Sequence, residues 1–124
     1  MAGVVGGAGK GIGRRTALIK RVTVAHARPN MDRAEVLRYW KEVHGPLIAK
    51  VPGVKRYVQN HCTESAQARA EPPFLGVGEV WFDSREEAER TVATPEWKAA
   101  MADAATFMDM DRVEAGWAEE YQIV

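Results

Sequence analysis

A single cysteine, Cys62, among 124 residues excludes an internal disulfide and a cysteine-rich zinc site. Cys62 reads as a small strand residue. The N-terminus lacks the charged start, apolar run and cleavage site of a secretory signal, so a reducing, cytoplasmic setting is expected. No run of about 18 apolar residues occurs, and no membrane-spanning helix is expected. Neither sign of charge is in excess: seventeen Lys and Arg balance seventeen Asp and Glu. This excludes whole-surface attraction to nucleic acid or an anionic membrane, and leaves little repulsion between copies of the chain. The one short basic cluster, Arg14, Arg15, Lys20 and Arg21, has no interleaved aromatics. Histidine is also scarce. His26, His44 and His61 fall in different elements without short ligand spacing, so no metal site is expected.

What is present fits one globular domain, because 46% hydrophobic and 27% charged residues match neither a disordered nor a fibrous chain. Glycine is concentrated at the start, at positions 3, 6, 7, 9, 11 and 13. Such a stretch is costly to order, so residues 1–18 read as a flexible leader and 19–124 as the domain. The spacing Gly7, Gly11, Gly13 is similar to the nucleotide loop of short-chain dehydrogenases. The context fails it: strand-like text begins at Ile19, no acidic residue closes a nucleotide-binding half, and no Tyr-x-x-x-Lys pair occurs. Val4 and Gly11 likewise break a P-loop. No organic cofactor is expected.

Arg21 to Ala27 alternates and is β-branched, predicting a strand. Asp32 and Glu35 have capping-box spacing, and Val36, Tyr39, Trp40, Val43 and Leu47 share one face of the helix that follows. Arg38, Lys41 and Glu42 lie on the other face. Pro52-Gly53 predicts a turn before a strand over Val54 to Thr63, and the polar stretch Glu64 to Pro73 reads as a loop. Gly76 to Phe82 is a third strand. Ser84 with Glu87 opens a helix, Thr94-Pro95 breaks it, and Arg112 to Val124 supplies the last strand. The order β-α-β-β-α-β is the ferredoxin-like α+β arrangement, a four-stranded antiparallel sheet with helices on one face. Val80 and Phe82 oppose Val77 and Trp81 across the third strand, so both faces of the sheet are apolar. Two helices cover one face, and a second copy is the simplest cover for the other. A homodimer with facing sheets is expected.

Several residues carry chemistry. His44 lies at the edge of the helix's apolar face, where partial desolvation keeps an imidazole neutral and able to take a proton. A boundary histidine bonded to a backbone carbonyl fits the same position. Lys55, Tyr57, Gln59 and His61 share a strand face that is polar enough to line a cleft, although a solvated strand end explains His61 equally. Glu79 and Asp83 share a face with Trp81; a carboxylate beside an indole in a cavity would serve as acid or base, whereas Asp83 also suits the residue before a helix cap.

The strings Tyr39-Trp40-x-x-x-His44-x-Pro46-Leu47 and Pro52-Gly53-x-x-Arg56-Tyr57-x-x-Asn60-His61, with Glu79-Val80-Trp81-Phe82-Asp83-Ser84, resemble the EthD family over about Ile19 to Val124. The resemblance implies a dimeric α+β barrel, and carries the family's motif histidine onto His44 and its strand Asn-His onto Asn60 and His61. Relatives include dehydratases or decarboxylases of aromatic polyketides, and the wider superfamily holds cyclases, isomerases and monooxygenases that mostly use no cofactor. The expectation is therefore a cofactor-independent lyase or isomerase acting on a hydrophobic, oxygenated catabolite or polyketide-like compound. His44 would be acid or base, with His61 or Tyr57 as hydrogen-bond donor and Tyr39, Trp40, Asn60, Glu79, Trp81 and Asp83 around the pocket. The alternative is a non-catalytic dimeric binding or accessory protein of an oxidative degradation pathway.

Overall fold

The computed structural model describes residues 14–124. The glycine-rich stretch from Met1 to Gly13, including the Gly7, Gly11, Gly13 spacing, lies outside the described residues. Strand β1, Arg14–Ala25, reaches back past the boundary expected at Ile19, because Arg14 and Arg15 pair with Gln122 and Tyr121 on the last strand. The register slips between Arg15 and Ile19. A dinucleotide loop would need Arg15 to Leu18 as a helix, and they are strand.

After β1 come helix α1 (Arg33–Tyr39), a π-helical turn (Trp40–His44), helix α2 (Gly45–Ala49) and strand β2 (Arg56–His61). Strand β3 (Gly76–Phe82), helices α3 (Arg85–Val92) and α4 (Pro95–Ala104) and strand β4 (Glu114–Gln122) complete the chain. The polar stretch between β2 and β3 has no regular structure. The sheet order is β2-β3-β1-β4 with every neighbouring pair antiparallel, the ferredoxin-like arrangement read from the sequence.

Local chemistry sets the helix starts. Asp32 accepts from the Glu35 backbone N–H at 3.0 Å, Ser84 from Glu87 at 3.1 Å and Thr94 from Trp97 at 3.2 Å. Pro95 occupies the first turn of α4, where its missing N–H costs nothing. The Pro52-Gly53 turn requires glycine twice over: its φ is +96°, and a Cβ there would lie 2.1 Å from the Thr91 hydroxyl oxygen.

The first helix departs from its expected face. Val36, Trp40, His44 and Ile48 are the buried residues, a spacing of four throughout, whereas Val43 is 45% exposed. In a straight α-helix, steps of four residues drift by about 40° each. The π turn absorbs that drift: the Gly45 N–H bonds to the Trp40 carbonyl, five residues back, and keeps His44 beneath Trp40. The Trp40 carbonyl also accepts from Gln59 Nε2 at 2.8 Å, tying the widened turn to β2.

Strand parity divides the sheet. Register places Arg21, Thr23 and Ala25 with Val80, Gly78 and Gly76 on the helix side, next to Tyr57, Gln59 and His61. Lys20, Val22, Val24, Val77, Glu79, Trp81, Arg56, Val58 and Asn60 lie on the outer side. Two apolar clusters fill the helix side, one around Trp40, Leu75 and Phe107 and one around Ile48, Phe82 and Trp97. Each fully buried large side chain contributes roughly 1.5–3 kcal/mol. The Trp40 indole reaches β3 only because Gly76 has no side chain: a Cβ there would lie 2.7 Å from the indole and 2.1 Å from the Asn60 carbonyl oxygen. Gly76→Ala is expected to destabilise the fold by about 1–3 kcal/mol, read as a lowered Tm by circular dichroism.

Candidate functional site

His44, at the end of the π turn, is 3% exposed and reaches α4. Its Nδ1 lies 3.0 Å from Asp103 Oδ2, while the Tyr39 hydroxyl donates to Asp103 Oδ1 at 2.5 Å. A carboxylate only accepts, so Nδ1 carries the hydrogen and Nε2 keeps its lone pair. Nε2 has no hydrogen-bond partner among the described residues. Phe107 packs edge-on against both His44 and Tyr39, each at 5.3 Å between ring centroids, and holds the rings in place. Burial pushes the His44 pKa below the ordinary imidazole value, opposed by the Asp103 hydrogen bond and charge. The ring is therefore neutral at pH 7.

Between sheet and helices His44 borders a cavity of about 90 Å³. Its walls include Trp40, Ile48 and Met101 from the helices and Val80 and Tyr57 from the sheet, with Arg21 and Thr23 as further polar groups. Met108, Met110, Val113 and Ala115 close the side nearest β4, where Met110 is 46% exposed. The volume is below the roughly 150 Å³ that accommodates benzene in an apolar cavity. A flat polycyclic ligand does not fit this space.

The other expected site residues are dispersed. Tyr57 lines the cavity; its hydroxyl accepts from Gln59 Nε2 at 2.7 Å, leaving its own hydrogen to donate, and burial raises its pKa. His61 stacks on Trp40 at 4.9 Å and meets Gln59 Oε1 at 2.8 Å, facing an open groove with Lys41 and Pro46. It borders that groove and not the His44 cavity. Trp40 lines the cavity; Tyr39 instead faces a cleft with Met31 and Glu42 and touches the site through Asp103.

Glu79, Trp81 and Asn60 do not line the cavity, because their strand parity puts them on the outer face. Glu79 takes Lys20 Nζ at 2.7 Å and Asn60 Nδ2 at 3.0 Å, and Trp81 is covered by the Arg56 and Lys20 cations. Asp83 is exposed beside Lys55 at 3.4 Å, next to the Ser84 cap. The sequence reading missed Asp103 and Arg21. Asp103 stands about 60° from Ala100 on the helical wheel of α4, at the border of its buried face, and that position was its one available signal.

Among the described residues no helix is long and apolar enough to cross a membrane, and no three His, Cys, Asp or Glu side chains are grouped to hold a metal ion.

A family model, the EthD domain, matches residues 28–111. An uncharacterized 11.0 kDa protein of Rhodococcus erythropolis, from the thcB-thcC intergenic region, is 32% identical over 87 residues, 70% of this chain and 82% of that protein. A crystal structure of an ethyl tert-butyl ether D (EthD) family protein from Bacillus halodurans C-125 superposes with TM-score 0.70 at 22% identity, covering 83% of this chain and 98% of that one. SnoaB of Streptomyces nogalater, a cofactor-independent oxygenase, superposes with TM-score 0.59 at 13% identity over 86% and 96%. A protein of Bacteroides fragilis NCTC 9343, described as dimeric and ferredoxin-like, gives TM-score 0.58 at 14% identity over 87% and 99%. The matched residues hold α1, the π turn with His44, and α4 with Asp103, and the shared fold is the βαββαβ sheet described above: the chain belongs to the EthD family.

Proposed function

We propose that this protein is a cofactor-independent acid–base enzyme of the lyase or isomerase type, acting on a small, largely apolar, oxygenated compound. The observation that carries this is the His44–Asp103 pair, which orients a neutral imidazole so that Nε2 is the nitrogen left for the cavity. Nε2 takes a proton from a carbon next to a carbonyl. The electron pair moves onto the carbonyl oxygen, where the Tyr57 hydroxyl donates a hydrogen bond to the enolate. Asp103 stabilises the imidazolium through Nδ1–H. Returning the proton to a different carbon is isomerisation; giving it to a departing hydroxyl is dehydration. SnoaB, a cofactor-independent oxygenase of similar fold, supports a reading without a cofactor. The test is solvent exchange in D₂O, followed by proton NMR on butanone, γ-butyrolactone and 2-oxobutanoate. Exchange at a carbon next to the carbonyl, above the buffer rate, is expected for at least one; none for any would leave the binding-protein reading.

The protein is also proposed to act as a homodimer. Val22, Val24, Val58 and Val77 sit half-buried on the outer sheet face, which no helix among the described residues covers. The Bacteroides fragilis protein of similar fold, described as dimeric, supports a dimer. Sedimentation at micromolar concentration is expected to give twice the 13.7 kDa chain mass, and Val24→Asp to shift it toward the single chain. A wild-type monomer under those conditions would refute the facing-sheet assembly.

A further inference from the structure

Arg21 stands on the helix side of the central strand β1, paired in register with Val80 on one side and Trp117 on the other. It is half-buried and borders the same cavity as His44 and Tyr57. Its Nη1 donates to the Thr23 hydroxyl at 3.0 Å, and its guanidinium lies 5.6 Å from the Trp97 ring centre. No carboxylate pairs with it among the described residues. Glu119, the nearest acidic residue by register on the same face of the sheet, lies opposite Ile19, is exposed, and accepts from Tyr121 at 3.3 Å; Glu79, opposite Val22, is on the outer face and takes Lys20. Asp103 is engaged by His44 and Tyr39.

A permanent cation among Val80, Trp97 and Met101 carries a desolvation cost that a hydroxyl and an indole offset only in part. The planar guanidinium keeps donors beyond Nη1 in a fork that matches a carboxylate in two-point contact. Apart from Arg21, Thr23, His44 and Tyr57 the lining is apolar, and the space is small. The surroundings thus supply a cation, an acid–base imidazole and room for a few carbon atoms, and they lack the anion.

We propose that Arg21 is the anion-binding residue of the His44 cavity and that the ligand is a short-chain oxo acid, its carboxylate held by Arg21 and its carbonyl beside Tyr57. The proposal rests on the acid–base reading for the choice of an oxo acid over other carboxylates. In a 2-oxo acid the carboxylate, the carbonyl and the acidic C3–H follow one another along the chain. Anchoring the first at Arg21 leaves the last for His44 Nε2. The proton passes from C3 to Nε2, and the enolate charge forms between the Tyr57 hydroxyl and the Arg21 cation.

The experiment measures binding of 2-oxobutanoate and its uncharged amide, 2-oxobutanamide, by ligand-observed NMR and calorimetry on the full chain. The acid is expected to bind at least about tenfold more tightly than the amide. Arg21→Leu, which removes the half-buried charge, is expected to abolish that preference, and Arg21→Lys to retain part of it. Circular dichroism of both variants establishes that they fold, and the lysine variant alone decides the matter if the leucine variant does not. Equal binding of acid and amide, no binding of the acid at millimolar concentration, or an unchanged preference in the variants would overturn the proposal. The two readings separate cleanly. His44→Asn is expected to keep the preference for 2-oxobutanoate over its amide, even where exchange is lost. Exchange of butanone without any acid preference would sink the anion site and leave the acid–base reading standing.

Discussion

Replacing His44 by asparagine is expected to lower the rate of α-proton exchange by about 10²–10⁴-fold, the range that a positioned general base supplies. Asparagine is the informative substitution because its side-chain amide can still donate to Asp103 Oδ2, where Nδ1 stands 3.0 Å away in the native protein. The Tyr39–Asp103 hydrogen bond therefore keeps both partners, while the ring that packs against Phe107 and the nitrogen facing the cavity are lost. Retention of exchange within about tenfold would remove His44 from the role of base. Retained binding with lost exchange separates a missing base from a collapsed cavity, so the variant is read by both measurements. His61→Asn serves as the counterpart: its ring lies on the far side of Trp40, bonded to Gln59, and exchange is expected to stay near the wild-type rate.

Much of the frame was legible from short-range chemistry. The third strand, the side-chain caps at Asp32 and Ser84 and the break at Thr94-Pro95 each follow from residues within a few positions of one another. The site was less legible, for two physical reasons. Alternation along β3 separates Glu79 and Trp81 from Val80 and Phe82, yet both sets contain large apolar residues. Parity alone does not say which set meets the helices, and the side with Trp81 proves to be the outer one. The second reason is the π turn. A regular 3.6-residue helix puts Val43 and Leu47 on the buried stripe and His44 at its edge. One widened turn carries His44 and Ile48 inward instead. Arg21 looked like one charge among neighbours in a basic cluster, and only the closing of α4 over the sheet makes it a cation in a cavity.

Asp103→Asn is expected to reduce exchange by about 10²–10⁴-fold while moving its pH dependence, and the second effect distinguishes orientation from simple damage. In the native protein Asp103 accepts from both Tyr39 and Nδ1, which keeps the imidazole in the tautomer with a free Nε2. An asparagine amide can donate to Nδ1, and the hydrogen then moves to Nε2, the wrong nitrogen for a base. The pH profile follows from the signs. Desolvation holds the His44 pKa below its usual value of about 6.5, and Asp103 opposes that shift through its hydrogen bond and charge. The wild-type rate is therefore expected to fall on the acid side with a midpoint under about 6.5. Removing the carboxylate removes the opposing influence, so the His44 pKa drops further and the acid limb moves to still lower pH. Tyr39→Phe leaves the carboxylate in place and is expected to move the limb little. A carboxylate that merely braced α4 against the first helix would lower the rate and leave the midpoint where it was.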